Sequence, residues 1–415
     1  MKTSPHTSKL IKNSLSSFLQ GRSVALCVTG SVAAVECVQL ARLLMRHGAE
    51  VFPVMSPMAQ KIIHPYLLEW ATGNDVVTEL TGKIEHIELA GKHDEHVDLI
   101  IIAPATANTI GKFASGIDDT PVTTTVSSAL GAGIPVLIVP AMHESMYNHP
   151  AVLENIEKLK KFGVQVMSPR LEEAKAKIPE PSLIIERVFT LLGPNDLEGK
   201  RFVVTAGPTR GWIDRVRFIS NPSTGKMGIA IAKEILARGG AVHLILGPTS
   251  EEAPIEAEVT KVETSEDMLK EVMSALSENE TACFISAAAV LDFVPEKMKD
   301  EKMRSGQDLT INLVPSAKII SEARNKYKDL LIVGFKVESG LSDDELEIRA
   351  REKIREGVCD LVVANDEKRE GVAFGTDTNE VLVVGPDKFK EIIPLASKRV
   401  VARKILDIIV KRINV

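Results

Sequence analysis

Phe202-Val-Val-Thr-Ala-Gly-Pro-Thr-Arg210 and, a few residues on, Ser220-Asn-Pro-Ser-Thr-Gly-Lys-Met-Gly228 set the architecture of this 415-residue chain. Phe202–Ala206 is an apolar strand, and Gly207–Arg210 is a polar turn. An Ala/Ile-rich helical pattern, Ile229–Arg238, follows the glycine-punctuated loop. Strand, loop and helix in this order point backbone N–H groups and a helix N-terminus at an anion. The loop carries Lys226 with two hydroxyls, Ser223 and Thr224, but it is not a Walker A sequence. The first glycine is missing, and Met follows the lysine where Ser or Thr would bind magnesium. The loop therefore reads as a phosphate-handling site outside the P-loop class.

The first half of the chain opens in the same way. Ser23–Thr29 is a buried-type strand, then come Gly30-Ser-Val-Ala-Ala34, a helix ending near Arg46–Ala49, and the strand Glu50–Met55. In the second half the helix ends at Arg238-Gly-Gly-Ala241, ahead of the strand Val242–Leu246. Strand–helix–strand units of about 30 residues indicate parallel strands with crossover helices. Further strands are expected at Leu99–Ala103, Pro135–Val139 and Val164–Met167, then at Cys283–Ser286, Leu330–Phe335 and Leu361–Ala364. The spacing predicts a helix over Asp343–Arg355, reinforced by i,i+4 charge pairs. Both halves thus read as α/β, two doubly wound parallel-sheet (Rossmann-like) domains, residues 1–192 and 200–415. The Gly/Pro/Asp-rich stretch Leu192–Gly199 separates them.

Net charge is −6 and the pI about 5.9, so nothing draws the chain as a whole to nucleic acid or anionic lipid. No apolar run reaches the roughly 18 residues of a membrane span, and the Ser/Lys-rich start lacks the apolar stretch of a secretory signal. Four scattered cysteines (Cys27, Cys37, Cys283, Cys359) have no metal-type spacing. Three of them sit in or beside apolar strand-like runs and read as small buried hydrophobes, and the set fits reduced thiols in a cytoplasmic protein.

Ligands of doubly wound folds sit at the carboxyl ends of the strands. In the first half those ends carry Gly30-Ser-Val-Ala-Ala34, Met55-Ser-Pro-Met58, Pro104-Ala-Thr-Ala-Asn108 and Pro140-Ala-Met-His-Glu-Ser-Met146, with His86-Ile-Glu-Leu-Ala90 between the second and third. No G-x-G-x-x-G is present. The set resembles the homo-oligomeric flavin-containing cysteine decarboxylases over about residues 20–190. That resemblance implies an FMN site around Gly30, Ser31, Val32, Ser56, Thr106 and Asn108. It also implies a catalytic histidine at His86 and a grip on the substrate carboxylate by His143 and Met146. Two departures stand out. His143 replaces the asparagine of the family's P-A-M-N motif, and a histidine can still donate to a carboxylate. The flap, which carries a reactive cysteine in bacterial members, reads Glu173-Ala-Lys-Ala-Lys-Ile-Pro179. Lys175 or Lys177 is the candidate replacement proton donor, and Lys175 is preferred. The combination looks like the archaeal branch of the family.

The second half resembles phosphopantothenate–cysteine ligase. The resemblance rests on Val203–Arg210, Ile213–Arg217, Ile219–Gly228, Ser286-Ala-Ala-Ala-Val-Leu-Asp-Phe293, Glu301-Lys-Met-Arg304, Gly334-Phe-Lys-Val-Glu338 and Ala364-Asn-Asp366, in the family's order. It implies that a nucleoside triphosphate, CTP rather than ATP, activates a carboxylate with Mg2+. It implies a catalytic Lys302 and Asn221, with Arg304 standing where a second lysine is common. Gly225, Lys226, Gly228, Asp292 and Phe335 would bind nucleotide, Asp292 would also meet the metal, and Arg217 with Asn221 would bind substrate. Joined in one chain, the halves resemble bifunctional enzymes of coenzyme A synthesis. Such an enzyme acts on small molecules, 4′-phosphopantothenate, L-cysteine and a nucleotide, as a homo-oligomer with no nucleic-acid or membrane partner. The missing flap cysteine leaves an alternative: a ligase whose first half is a degenerate flavin-binding regulatory module.

Overall fold

Runs of Val, Ile and Leu with polar residues only at their ends form the central strands of two open sheets. A computed structural model describes residues 6–278, 280–302 and 310–413. The chain divides into two compact units, Met1–Leu192 and Gly193–Val415. The strands of the first unit are β1 (Ser23–Val28), β2 (Glu50–Met55), β3 (Leu99–Ala105), β4 (Val136–Pro140), β5 (Met142–His143), β6 (Gln165–Val166), β7 (Arg170–Glu172) and β8 (Lys175–Lys177). Five of them make a wholly parallel sheet in the order β2-β1-β3-β4-β6. Every residue of β3 and β4 is buried, because helices cover both faces. Strand order reverses between β1 and β3, which makes their carboxyl ends the switch point where this strand order holds its ligand. A separate three-stranded antiparallel sheet, β5-β8-β7, forms the flap.

The second unit contains β9 (Arg201–Ala206), β10 (Arg210–Trp212), β11 (Phe218–Ser220), β12 (Ala241–Leu246), β13 (Glu258–Lys261), β14 (Cys283–Ser286), β15 (Phe293–Pro295), β16 (Leu313–Pro315), β17 (Leu331–Glu338), β18 (Leu361–Asp366), β19 (Thr378–Val384) and β20 (Lys390–Ser397). Its main sheet runs β13-β12-β9-β14-β17-β18-β19-β20. The first six strands are parallel, and the last two turn antiparallel. On one face Ile229, Ile231 and Ile235 of the helix Lys226–Ala237 pack with Ile405 and Ile409 of the helix Lys398–Ile413. On the other face Met268, Val272, Ile319, Leu346 and Ala350 cover Val203, Phe284 and Val362. The unit is doubly wound, as its sequence leads one to expect.

The antiparallel extension is the main departure from an all-parallel reading. Strands β13 and β20 are half-exposed along most of their length, and β20 contains Pro394. Edge strands of this kind lack the continuous apolar run that marks a buried parallel strand. The helix Asp343–Arg355 keeps its expected bounds because Ser342 and Glu345 form a capping box. All four cysteines are buried and free, and burial pushes the thiols of Cys27 and Cys359 up to about 12.

Gly228 fixes how closely the helix Lys226–Ala237 approaches β9. A Cβ there would lie 2.5 Å from the Ala206 Cβ and 3.0 Å from the Thr205 carbonyl oxygen. Neither group can swing away, so Gly228→Ala is expected to destabilise this unit by about 1–3 kcal/mol. Urea unfolding followed by Trp212 fluorescence in a Trp70→Phe background measures the cost. An unchanged midpoint would show that the helix can shift freely.

Candidate functional site

In the second unit the order of strands reverses between β9 and β14, and the chain beyond their carboxyl ends opens into a cavity of about 720 Å3. Its walls include Asn221–Gly228, Ser286–Asp292, Ala317–Ser321, Gly334–Glu338 and the loop around Phe374, with Lys353, Asn365 and Lys398 from further elements. A parallel bridge between Pro208 and Ala289 joins the two loops at the switch point. Gly225 ends its loop at φ 79°, a left-handed conformation open to glycine, with its Cβ position only 3.2 Å from the Gly207 nitrogen. It is the N-cap of the helix Lys226–Ala237 and makes no side-chain capping bond. Its first-turn N–H groups therefore have no side-chain cap on the cavity wall.

Asn221, Gly225, Lys226, Gly228, Asp292 and Phe335 all line this cavity. The Asn221 amide donates to the Ala289 and Val290 carbonyls, at 3.2 and 3.3 Å. That fixes the side chain and turns its amide oxygen to the remaining contacts. Lys226 does not extend freely toward a ligand. Its ammonium donates to Asp377 Oδ1 at 2.7 Å and to the Gly375 carbonyl at 3.0 Å, holding the loop 371–377 against the phosphate-type loop. The Asp377 hydrogen bond raises the Lys226 pKa and lowers that of Asp377. Asp292 is ion-paired with Lys318.

Arg217 and Lys302 do not line the cavity. Arg217 follows Asp214, a fully buried carboxylate that accepts from the Val216 and Arg217 amides at 2.8 Å and shapes the β10–β11 turn. Lys302 is exposed on the arm between β15 and β16, and Arg304 lies outside the described residues. Reading the sequence assigned no role to several polar cavity residues, among them Lys318, Lys336, Lys353, Asn365 and Lys398. Lys336 and Asn365 were in view within Gly334-Phe-Lys-Val-Glu338 and Ala364-Asn-Asp366, whereas Lys353 and Lys398 sit in ordinary helix contexts.

In the first unit, Gly30, Ser31 and Val32 follow β1, Ser56 follows β2, Thr106 and Asn108 follow β3, and His143 and Met146 follow β4. Thr29 ties the switch point together, donating to the Pro104 carbonyl at 2.5 Å and accepting from the Thr106 amide at 3.2 Å. A Cβ on Gly30 would collide with the Met58 side chain at 2.3 Å. Val32, Met58 and Met146 are 78%, 53% and 50% exposed on strand-end loops. Exposed apolar side chains on strand-end loops suit a flat heterocycle such as a flavin.

The flap pairs His143 with Lys175 across β5 and β8. His143 Nδ1 accepts from the Ser145 amide at 3.4 Å and lies 2.9 Å from its hydroxyl, which leaves the proton on Nε2. Lys177 is engaged by Glu173 at 2.8 Å and Glu172 at 3.4 Å, whereas Lys175 has no ion pair among the described residues. His86 stands elsewhere, on the short helix Glu85–Ala90, which packs against the helix Pro121–Ala132. Its Nδ1 is buried with no hydrogen-bond partner among the described residues, and Ile84 just before it is held at φ 52°. A β-branched residue in that region is strained.

A two-unit α/β chain with one switch-point site per unit matches two family models. "Flavoprotein" covers residues 12–193, and "DNA/pantothenate metabolism flavoprotein C-terminal domain" covers residues 197–413. The coenzyme A biosynthesis bifunctional protein CoaBC of Thermococcus kodakarensis is 50% identical over 98% of this chain and 99% of that protein. The CoaBC of Bacillus subtilis is 38% identical over 94% and 96%. A crystal structure of the C-terminal domain of a CoaBC is 31% identical, with TM-score 0.45, over 53% of this chain and 98% of that one. The chain belongs to the CoaBC family of coenzyme A biosynthesis bifunctional proteins. Among the described residues no helix is long and apolar enough to cross a membrane.

Among the described residues the Lys226 bridge is one of two ammonium contacts on the loop 371–377, the other being that of Lys398 with Thr376. Lys226→Met is expected to speed amide hydrogen exchange across 371–377 by about two- to fivefold, the range for one exposed ion pair. Unchanged exchange would mean that the loop holds itself.

Proposed function

We propose that this chain carries out two successive steps of coenzyme A synthesis, a CTP-dependent ligation and an FMN-dependent decarboxylation, in residues 200–415 and 1–192 respectively. What most supports the ligase reading is the convergence of Asn221, Gly225, Gly228, Asp292 and Phe335, drawn from separate segments, on one switch-point cavity. In the first reaction a carboxylate oxygen of 4′-phosphopantothenate attacks the α-phosphorus of CTP and displaces pyrophosphate. The cysteine amine then attacks the acyl carbon of the resulting acyl-cytidylate, loses a proton, and releases CMP as the amide forms. Asn221 holds the acyl group, and the helix start at Gly225 faces the phosphates. Lys302 supplies positive charge to the activation step, with Arg217 contributing to the substrate acid. Among the described residues no cluster of three or more His, Cys, Asp or Glu exists. A magnesium ion would therefore rest on Asp292 and on the triphosphate itself, which suits a cation that binds through few carboxylates.

In the second reaction the product's cysteinyl carboxylate leaves as CO2. Gly30, Ser31, Val32, Ser56, Thr106 and Asn108 would hold FMN, which would supply a reversible two-electron oxidation of the thiol. His86 accepts the thiol proton. His143 donates its Nε2 proton to the carboxylate, and Met146 packs beside it. Loss of CO2 leaves an ene-thiolate, which Lys175 protonates. His86 belongs to an element apart from the strand-end loops, and its ring nitrogen is buried and unbonded. Both features favour a homo-oligomer in which one copy's His86 completes the other's site. Lys175 rather than Lys177 fits the donor role because Lys177 is already paired.

Incubation with phosphopantothenate, cysteine and either CTP or ATP, followed by mass analysis, is expected to give 4′-phosphopantetheine and CO2 from yellow protein, faster with CTP. Amide formation without CO2 release would instead support the ligase with a regulatory flavin half. His86→Ala should lower CO2 release by about 10²–10⁴-fold, the usual worth of general acid–base catalysis, while amide formation continues. Equal loss of both activities would remove His86 from the catalytic role.

A further inference from the structure

Five lysines line the ligase cavity: Lys226, Lys318, Lys336, Lys353 and Lys398. Four have an acid partner. Lys226 meets Asp377 at 2.7 Å, Lys336 meets Glu338 at 3.2 Å and Lys353 meets Glu356 at 2.9 Å, while Lys318 pairs with Asp292. Lys398 alone among them has no carboxylate within ion-pair distance among the described residues. It donates only to Thr376, to the carbonyl oxygen and, at 3.4 Å, to the hydroxyl.

Its surroundings make that isolation costly. Lys398 is half-buried and opens the 16-residue helix Lys398–Ile413, whose first turn contains no acidic residue. The positive end of a helix is an unfavourable place for an ammonium. The charged groups that face it are Lys226, Asp377 and Glu251. Both acids are shared with Lys226, which lies 2.7 Å from Asp377 and 3.7 Å from Glu251. Burial, and then the Lys226 charge, hold the Lys398 pKa below the ordinary lysine value. A half-buried cation is normally paired with an anion, and among the described residues the two nearby acids are already engaged by Lys226.

We propose that Lys398 is a phosphate-binding residue of this cavity, its missing counter-ion being a phosphate group of a bound substrate. The inference rests on the ligase reading above, which offers two sources of that chemistry. One is the polyphosphate of the nucleotide, leaving as pyrophosphate, and the other is the phosphate ester of the acid. The position of Lys398 next to Lys226 and the loop 371–377, which touches the phosphate-type loop through the Gly375 contact, points to the nucleotide.

The full chain is compared with Lys398→Met and Lys398→Arg. Calorimetry with inorganic pyrophosphate should show binding weakened about 10- to 100-fold in Lys398→Met, the loss of one charged hydrogen bond, and largely restored in Lys398→Arg. In steady-state assays the KM for the nucleotide should rise by a similar factor with kcat less affected. A rise in the KM for the phosphorylated acid instead would assign the phosphate to that acid and leave Lys398 a phosphate ligand. Pyrophosphate affinity and both KM values unchanged in Lys398→Met would overturn the proposal. Should that variant fold poorly, amine-directed acetylation of the wild-type protein replaces it. Pyrophosphate is then expected to shield Lys398, and unaltered labelling overturns the assignment. Wild-type protein that forms no amide would defeat the ligase reading, while the pyrophosphate and labelling arms still judge Lys398.

Discussion

Close approach of bare backbone at the ends of β9 and β12 is what shapes the switch-point crevice of the second unit. Gly207 and Gly247 lie so near one another that a Cβ on Gly247 would sit 1.9 Å from the Pro208 carbonyl oxygen. Gly225 rests on Gly207, and Gly228 rests on Ala206. With side chains excluded at all four glycines, the helix Lys226–Ala237 is drawn down onto the sheet and its first turn faces the crevice. The hydrophobic layers beneath, Ile229 to Ile235 against Val204 and Val363, hold it there. The site is therefore a consequence of packing geometry before any charged residue is added.

Charge is then distributed by a simple logic. Most cavity lysines are neutralised within the protein, so the empty crevice does not carry a large unbalanced potential. Lys226 serves the loop 371–377 rather than presenting a bare ammonium. The helix starts and Lys398 remain as groups whose partners must come from outside. In such an arrangement ligand binding replaces poor internal solvation rather than competing with a strong ion pair, and less of the interaction is spent on desolvation.

The α/β architecture was legible because parallel strands buried on both faces leave uninterrupted runs such as Leu99–Ala103 and Cys283–Ser286, and because capping fixed helices such as Asp343–Arg355. Edge strands were not. Glu258–Lys261 and Lys390–Ser397 mix polar and apolar residues in no strict alternation, since solvent lies along most of their length. The site divided along similar lines. Loop motifs at strand ends, such as Asn221–Gly228 and Asp292, can be read from residue type because the chemistry is local. Lys398 could not be, since its significance is the absence of an acid nearby, and neighbours in space are not neighbours in sequence. Lys226 presents the converse case: its residue type suggested a ligand contact, while Asp377, 151 residues away in the chain, holds its ammonium.

The flap of the first unit follows from the same reasoning about partners. A thiol near neutral pH donates a proton readily, and a lysine ammonium does so only when its charge is costly to keep. Lys177, bound to two glutamates, is stabilised as the cation and is a poor acid. Lys175 lies opposite His143 in the β5–β8 register and has no ion pair among the described residues. The hairpin between β7 and β8 turns through Glu173 and Ala174, both at positive φ without glycine. That strain persists only because the paired strands over-determine the turn. The two departures from the flap's expected sequence, a histidine in β5 and a lysine in β8, thus face one another. Under the function proposed above they amount to one change, in which Lys175, without an ion pair among the described residues, is the proton donor.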